Sequence, residues 1–280
     1  MAYFYKTVRP FCKAVCAVVG FIALLPLHPL HPLHRAAIAQ TGSSSSQCSA
    51  TVYLTLDTGN MSQAELVARV LKKHDLKVTF FLANEKTNLK AGGSDYSLSD
   101  SWQNYWQERA AEGHAFGNHT YDHVYFKGAS SVNVLSAKPQ FGANAGQLLN
   151  LTNAQFCSEL NRVALRFKQL TGKSLDPVWR APGGKAPQAV MNAASACGYQ
   201  HVYWDSAGFL GDELSSETHP NSILLSNALA SIKDGDILMA HLGIWSRKDP
   251  WAPAVLDPLI TGLKAKGFCF ATLRSHPKYR

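Results

Sequence analysis

The chain has 280 residues, of which 46% are apolar and 16% charged, with 20 glycines and 13 prolines. This is the composition of a folded globular protein, so it excludes a disordered, collagen-like or coiled-coil chain. The formal net charge is +8, but residues 1–39 hold four basic and no acidic residues, and the rest of the chain carries only +4. A charge this small is poor evidence for nucleic-acid binding, so we expect no nucleic-acid partner.

Residues 1–39 have the features of a secretory signal peptide. Three basic residues precede an apolar stretch, residues 14–27, which is shorter than the roughly 20 residues needed to span a bilayer. Small residues at Ala37 and Ala39 fit cleavage before Gln40. Because His-Pro repeats precede Arg35, an uncleaved signal anchor is the alternative. We expect an exported protein, periplasmic or secreted, for which the membrane matters only in export or as an N-terminal anchor.

Four cysteines follow this segment, namely Cys48, Cys157, Cys197 and Cys269. In an oxidising compartment they can form two disulfides, with three pairings open. A link between Cys48 and Cys269, near the two ends of the domain, is one candidate. Buried free thiols are the alternative.

Strands and helices alternate after a Ser- and Gly-rich linker at residues 40–50, and we interpret residues 51–275 as one domain. Apolar runs predict strands over residues 51–56, 77–82 and 114–117, and strands that begin near Pro177, Gln200, Gly235 and Gly267. Amphipathic patterns predict helices over residues 62–74, 100–112, 153–170, 188–196, 222–232 and 252–266. Ser62 is the expected N-cap of the first helix, with Glu65 at the capping-box position. Residues 127–148 lack a regular apolar period and are predicted to be a long loop.

Seven strands that alternate with helices predict a parallel sheet, either open or closed into a barrel. In such folds the carboxyl ends of the strands carry the chemistry. Asp57 directly follows the first predicted strand and could be a base or a metal ligand. The alternative for Asp57 is a carboxylate that caps the turn before Gly59.

A second polar cluster holds His119 and His123. If this segment is a helical turn, the two rings share one face and can reach one divalent metal ion. Asp122 is a further candidate ligand, but in a helical turn it lies on a different face. The alternative is two histidines that are solvated or packed in the core.

Two further clusters follow later strands. Arg180 can hold a carboxylate through two hydrogen bonds, and the following glycines allow a ligand to approach the backbone closely. An ordinary turn between a strand and a helix is the alternative. His241 ends another strand and could be a general acid, although a single histidine at a strand end is more often structural.

In their order and placement, these clusters resemble the motifs of the polysaccharide deacetylase family, also called the NodB-homology domain or carbohydrate esterase family four. Residues 55–59 are similar to its Thr-Phe-Asp-Asp-Gly motif, and residues 119–123 match His-Ser/Thr-x-x-His. Residues 180–184 are similar to its Arg-x-Pro motif, and residues 239–241 to Leu-x-His, with Met in the Leu position. The resemblance implies a distorted seven-stranded β/α barrel in a single domain.

The chain departs from the family pattern in two motifs. Thr58 stands where the family has a second aspartate that binds metal, so metal binding is expected to be weaker. In the fourth motif, Gly208 replaces the aspartate that tunes the general acid, and Phe209 replaces a tryptophan that forms an apolar wall. Asp205, Asp212 and Asp236 are the candidate substitutes for that aspartate.

The resemblance also implies the role of each residue in removing an acetyl group from a glycan. His119 and His123 would hold a divalent metal, most often zinc in this family, with Thr58 as a further position on the metal side. Asp57 would be the general base, oriented by Arg180. A backbone N–H after Pro182, at Gly183, would stabilise the oxyanion, and His241 would protonate the leaving group.

Substrate contacts are expected near the same end of the barrel. Pro182, Gly183 and Phe209 would form part of the binding surface by resemblance. Trp245 can stack on a sugar ring, and Arg247 can hold an anionic sugar. We therefore expect an acetylated polysaccharide of the cell envelope or the extracellular space as substrate, most often with N-acetyl groups. The alternatives are a non-catalytic glycan-binding protein, because of Thr58, and an amidase that acts on a peptidoglycan lactam.

Overall fold

The computed structural model describes residues 48–87, 95–131 and 133–280; the predicted signal peptide and most of the predicted linker lie outside these residues. The strands within these ranges are β1 (Ala50–Asp57), β2 (Thr79–Leu82), β3 (Ala115–Asn118), β4 (Val124–Ser131), β5 (Val134–Pro139), β6 (Leu149–Thr152), β7 (Val178–Trp179), β8 (Gln200–His201), β9 (Ile237–His241) and β10 (Phe268–Phe270). The α-helices are α1 (Ala64–Lys73), α2 (Gln103–Ala111), α3 (Asn153–Thr171), α4 (Gln188–Ala196), α5 (Asn221–Ser231) and α6 (Asp257–Ala265).

Seven of these strands form a curled parallel sheet in the order β10-β1-β2-β3-β7-β8, and β9 also pairs with β1. β10 pairs with β1 at Ala50–Val52, and β9 pairs with it from Tyr53 to Asp57. A single bridge joins Phe209, which follows β8, to Met239 in β9. The predicted seven-stranded α/β domain is confirmed, and the sheet forms a half-barrel rather than a fully paired barrel.

The apolar pattern of the sequence explains the central elements. Six consecutive residues of β1, Val52 to Asp57, are buried, as expected of a central strand that is covered on both faces. Helix α1 buries Ala64, Val67, Ala68 and Leu71, a spacing of three and four that forms one face against the sheet. The result is a rigid sheet whose strand ends can hold side chains in fixed positions.

The prediction of a long loop over residues 127–148 is wrong. β4, β5 and β6 form a separate antiparallel sheet in these residues and on either side of them. The alternating pattern was too short to detect, because only Val124, Phe126, Leu135 and Ala137 of β4 and β5 contribute to a core cluster. Most of the remaining positions in β4 are exposed.

Helix boundaries follow the predictions with two differences. The capping box predicted at Ser62 is wrong: α1 begins at Ala64, its N-cap is Gln63, and no side chain caps it. The N–H of Ser62 instead donates to the side chain of Asn60 at 3.0 Å. The last predicted helix begins with a π-helical turn, Ala252–Leu256, that leads into α6.

The four cysteines form two disulfides. Cys48 is bonded to Cys269, which confirms the candidate link between the domain ends, and Cys157 in α3 is bonded to Cys197 at the end of α4. Across the residues that the structure describes, we find no helix with the length and apolarity needed to cross a bilayer.

Candidate active site

Four polar side chains lie at the carboxyl ends of parallel strands beside one cleft. Asp57 ends β1 and His241 ends β9, and the two residues are directly paired in the register of these strands. His119 follows β3, and Arg180 follows β7. Asp57, His119 and His241 all line the cleft, so the sheet brings together residues that lie up to 184 positions apart in sequence.

Asp57 is held by a buried arginine. Nη1 of Arg180 donates to Oδ1 of Asp57 at 2.7 Å, and the Arg180 side chain is fully buried, with its guanidinium 4.2 Å from the ring centroid of Phe81. Burial raises the pKa of Asp57, but the charges of Arg180, His119 and His241 outweigh it, and the net pKa lies below its ordinary value. The carboxylate is therefore ionised and fixed in direction, as a general base requires.

His241 is paired with Asp212. Both carboxylate oxygens of Asp212 lie 3.1 Å from Nδ1 of His241, and Oδ2 also accepts the backbone N–H of His241 at 2.7 Å. Burial lowers the pKa of His241, but the charge and hydrogen bonds of Asp212 outweigh it and raise the pKa to about 10. The ring is therefore protonated at neutral pH, which suits a general acid.

The other two candidate partners of His241 are engaged elsewhere. Asp205 accepts the backbone N–H of Ile237 at 2.8 Å, and Asp236 accepts that of Lys233 at 2.7 Å. Both carboxylates therefore bind backbone N–H groups at or just before the start of β9 and not the imidazole of His241.

The backbone at Gly208 excludes the carboxylate that the family has there. A Cβ atom on Gly208 would overlap the backbone carbonyl oxygen of Ile237. No side chain fits at this position, so the carboxylate that faces His241 comes from Asp212, four residues later.

His119 and His123 meet without the helical turn predicted for them. The segment is an irregular turn in which Thr120 and His123 have positive φ angles of 60° and 48°, and the two ring centroids are 5.0 Å apart. Nδ1 of His119 lies 2.9 Å from the carbonyl oxygen of Arg180, so Nδ1 carries the proton and Nε2 is left free, 3.7 Å from Oδ2 of Asp57. Burial lowers the pKa of His119 to about 4, so the ring is neutral at neutral pH.

Asp122 is not a ligand candidate in the structure. Its carboxylate is paired with Arg162 at 2.7 Å on the outer side of the turn. The correction follows from the geometry of the turn, which directs Asp122 toward α3 rather than into the cleft.

Thr58 is hydrogen-bonded to Glu85, a residue that was not predicted from the sequence. Its hydroxyl donates to Oε1 of Glu85 at 2.5 Å and accepts the N–H of Ala83 at 3.1 Å, and the N–H of Gly59 also donates to Oε1 at 2.8 Å. Burial raises the pKa of Glu85, but the neighbouring imidazoles of His123 and His119 and these hydrogen bonds outweigh it and lower the pKa. Glu85 lies three residues after β2, so the same rule of strand ends could have found it.

The predicted substrate contacts divide into two groups. Gly183 and Trp245 line the cleft, and Trp245 is 55% exposed. Gly183 has a φ of 65°, and a Cβ atom on it would lie 2.6 Å from the ring of Tyr125, so glycine is required there. Pro182 is buried, beside Gly183.

Phe209 and Arg247 were predicted to contact the substrate, but neither side chain lines this cleft. Trp204 lines the cleft, and Phe209 stacks against it with ring centroids 6.3 Å apart. The Arg247 side chain is only 2% exposed and donates to the carbonyl oxygens of Leu214 and His219. Arg247 therefore ties its own loop to the segment that holds Leu214 and His219, and Trp204 takes the place on the cleft wall that was predicted for Phe209. Gln140 and Phe141, from the segment predicted as a loop, also line the cleft.

Comparison with known proteins agrees with this geometry. The sequence pattern of the family described as polysaccharide deacetylase matches residues 44–202, more than half of the chain. The chain belongs to the polysaccharide deacetylase family. A chitooligosaccharide deacetylase of Azorhizobium caulinodans is 23% identical over 81% of this chain and 94% of that protein. A peptidoglycan-N-acetylglucosamine deacetylase of Bacillus cereus is 25% identical over 82% of this chain and 89% of that protein.

Other relatives of this chain are longer. The chain covers 69% of an uncharacterised Geobacillus stearothermophilus protein and about half, 51%, of an uncharacterised Bacillus subtilis protein, at 25% and 24% identity. Among solved structures, one neighbour is a family 4 acetyl xylan esterase from Clostridium thermocellum in complex with a cobalt ion, with a TM-score of 0.59 and 18% sequence identity. The match covers 80% of this chain and 88% of the esterase chain. A family 4 pseudoenzyme from Bacillus anthracis has a TM-score of 0.57 and 19% identity, covering 81% and 65%. These structures share the fold.

The family implies a divalent metal, and the cleft has suitable donors. Nδ1 of His123 is buried and has no hydrogen-bond partner in the described part of the chain, and Nε2 of the neutral His119 is free. Nitrogen donors of this kind suit zinc or cobalt. Among residues 48–87, 95–131 and 133–280, however, no three histidine, cysteine, aspartate or glutamate side chains are already placed as a metal-holding group.

Proposed function

We propose that this polysaccharide deacetylase is an exported, metal-dependent hydrolase that removes acetyl groups, chiefly N-acetyl groups, from a cell-envelope or extracellular polysaccharide. The observation that carries the proposal is the pairing of Asp57 and His241 across two neighbouring strand ends. One is an ionised carboxylate with a lowered pKa, and the other is an imidazole whose pKa is raised to about 10. A base and an acid with pKa values this far apart are what amide hydrolysis needs on the two sides of one carbonyl.

The reaction is assigned to four side chains and one backbone group. Asp57 accepts a proton from the attacking water, and Arg180 holds the carboxylate in the direction of that water. The backbone N–H of Gly183, which lines the cleft, is assigned to stabilise the oxyanion that develops from the acetyl carbonyl. Because Asp212 occupies Nδ1 of the protonated His241, the proton on Nε2 is the one transferred to the leaving nitrogen, which leaves His241 neutral. The C–N bond breaks, and the products are acetate and a free amine on the sugar.

His119 and His123 are the residues that would hold a divalent metal, which we expect to be zinc. When bound, such an ion supplies Lewis acidity that favours ionisation of water and polarises a carbonyl group near neutral pH. The hydrogen bond from His119 to the carbonyl oxygen of Arg180 supports this assignment, because an oriented, neutral imidazole is a better ligand.

The shape of the cleft supports a glycan substrate. Trp204, Trp245, Tyr125 and Phe141 line the same cleft as Asp57, and aromatic side chains can pack on the apolar faces of sugar rings. Two of the relatives are named as deacetylases of chitooligosaccharides and of peptidoglycan N-acetylglucosamine, and this agrees with an acetylated glycan as substrate. The two disulfides support export to an oxidising compartment, where such polymers are found.

The test is acetate release by residues 40–280 from a panel of acetylated glycans. The panel would hold chitooligosaccharides, peptidoglycan and acetylated xylan, each with chelator and with added zinc, cobalt or nickel. We expect metal-dependent acetate release from an N-acetylated member. Release of ammonia or of a ring-opened lactam without acetate would contradict the proposal and favour an amidase.

A non-catalytic glycan-binding protein is the second candidate, because Thr58 stands where the family has a metal-binding aspartate. Glycan binding by the same preparation, with no acetate released under any metal, would favour this candidate over the deacetylase.

A further inference from the structure

Thr58 removes one carboxylate from the metal side of the cleft, and the structure contains another carboxylate at that place. We propose that Glu85 supplies the carboxylate ligand of the metal, beside His119 and His123. This proposal rests on the proposed function, since it assigns a residue to the metal site of that same cleft. Glu85 belongs to none of the family motifs matched in the sequence.

The position of Glu85 is fixed by the residues of the first motif. Oε1 accepts the hydroxyl of Thr58 at 2.5 Å and the backbone N–H of Gly59 at 2.8 Å. Thr58 is itself held by the N–H of Ala83. The backbone of Glu85 is tied as well, because its N–H donates to the side chain of Ser97 at 3.0 Å. The residue at position 58 therefore directs a longer carboxylate from the neighbouring strand end instead of providing its own.

The second oxygen of Glu85 is left for a ligand. The described part of the chain supplies hydrogen bonds to Oε1 and none to Oε2, and no lysine or arginine in that part forms an ion pair with Glu85. Glu85 is 6% exposed and lines the same cleft as His119 and His123. The hydrogen bonds from Thr58 and Gly59 compensate only Oε1, and a divalent ion between Oε2 and the two imidazoles would supply a counter-charge for the carboxylate.

The competing explanation is that Glu85 only caps the turn after β1. The two hydrogen bonds at Oε1 would serve that purpose without any metal, and a neutral side chain of the same shape would serve it equally well. The variant Glu85→Gln separates the two explanations, because its amide oxygen can still accept from Thr58 and Gly59 while the negative charge is lost.

The experiment is a calorimetric titration of Zn²⁺ into the chelator-treated protein, residues 40–280, with Co²⁺ absorption spectra as a second readout. We expect the Kd for Zn²⁺ to rise about tenfold or more in Glu85→Gln, with a changed Co²⁺ ligand-field spectrum. Asp122→Asn is the matched control, because it also removes a carboxylate next to the two histidines but one that faces Arg162. Its Kd should stay within about threefold of the wild type.

Glu85→Asp is the second variant, in case Glu85→Gln does not fold. It keeps the charge but shortens the side chain by one methylene, so weaker Zn²⁺ binding is again expected. Zn²⁺ binding by Glu85→Gln or Glu85→Asp as tight as that of the wild type would overturn the role of Glu85 and leave the proposed function standing. Absence of saturable Zn²⁺ and Co²⁺ binding by the wild type would overturn both.

Discussion

Asp212 holds His241 from two directions, with its carboxylate 3.1 Å from Nδ1 of the ring and 2.7 Å from the backbone N–H of the same residue. The family's usual aspartate for this role is replaced by Gly208, where a side chain would overlap the backbone of β9. His241 therefore still has a carboxylate partner, but this carboxylate comes from Asp212 and not from position 208. The same principle applies on the opposite side of the cleft, where Glu85 lies against Thr58.

The first prediction concerns the pH dependence of catalysis. The raised pKa of His241, about 10, keeps the acid protonated until the pH approaches that value, so the loss of kcat/KM that His241 controls lies on the alkaline side. Asp212→Asn keeps a hydrogen-bond acceptor but removes the charge, so the pKa of His241 falls and the alkaline limb of the profile moves to lower pH. The measurement is the pH profile of kcat/KM for both proteins.

Asp236→Asn is the control for this prediction. Asp236 is also close to β9, but its carboxylate accepts only the backbone N–H of Lys233. Its profile should overlay that of the wild type. An alkaline limb that stays in place in Asp212→Asn would show that His241 does not control it.

The second prediction concerns stability. The pKa of His241 is higher in the folded protein, about 10, than its ordinary value of 6.5. The pair with Asp212 therefore contributes fully to stability below about pH 6.5, and the contribution is lost as the pH rises toward 10. Urea unfolding at pH 6, 8 and 10 should show the stability difference between wild type and Asp212→Asn shrinking with pH. A difference that grows with pH would contradict this sign.

The third prediction concerns the buried pair of Arg180 and Asp57. Arg180→Met leaves a buried carboxylate without its cation, and we expect unfolding free energy to fall by about 3–5 kcal/mol. Adding Asp57→Asn to this variant should recover most of the loss. Lys248→Met is the control, because both side chains of its pair with Glu217 are exposed, at 85% and 76%, and it should cost less than about 1 kcal/mol. Equal losses in the Arg180 and Lys248 variants would contradict the assignment, and urea unfolding measures both.

The fourth prediction concerns the disulfide between α3 and α4. Replacing Cys157 and Cys197 by serine opens a link with a sequence separation of 40 and should lower the unfolding free energy by about 2–4 kcal/mol. Activity should be retained, because neither cysteine lines the cleft. Treatment of the wild type with dithiothreitol before urea unfolding is a parallel measurement. Unchanged stability in both experiments would indicate that the bond is absent in the protein as produced.

The strands of the parallel sheet and most helices could be predicted from the sequence because their apolar patterns are long or bounded by clear turn residues. β1 is a continuous buried run, and α4 was predicted with the bounds that it has. The antiparallel sheet of β4 to β6 was missed because too few of its residues alternate between core and solvent. A local pattern of two buried positions does not separate a strand from a loop.

The residues of the candidate site also divide into those that could be placed from the sequence and those that could not. Asp57, Arg180 and His241 could be placed because strand ends in parallel sheets converge, whatever the intervening chain does. The partner of His241, Asp212, could not be singled out among three candidate aspartates, because its contact depends on the path of the loop after β8. Glu85 was missed although it lies only three residues after β2, where the same rule of strand ends applies. The histidine pair was predicted for the wrong reason: the two rings approach each other through an irregular turn, and the spacing of four residues is not helical here.

The most direct measurement is acetate release from an N-acetylated glycan by the wild type and by Asp57→Asn, assayed side by side with zinc and with chelator. Asp57→Asn removes the proposed base while leaving His119 and His123 in place. The account predicts metal-dependent release by the wild type, a loss of about 10²-fold or more in kcat for Asp57→Asn, and little change in Zn²⁺ affinity. Equal rates of release by the two proteins would contradict it.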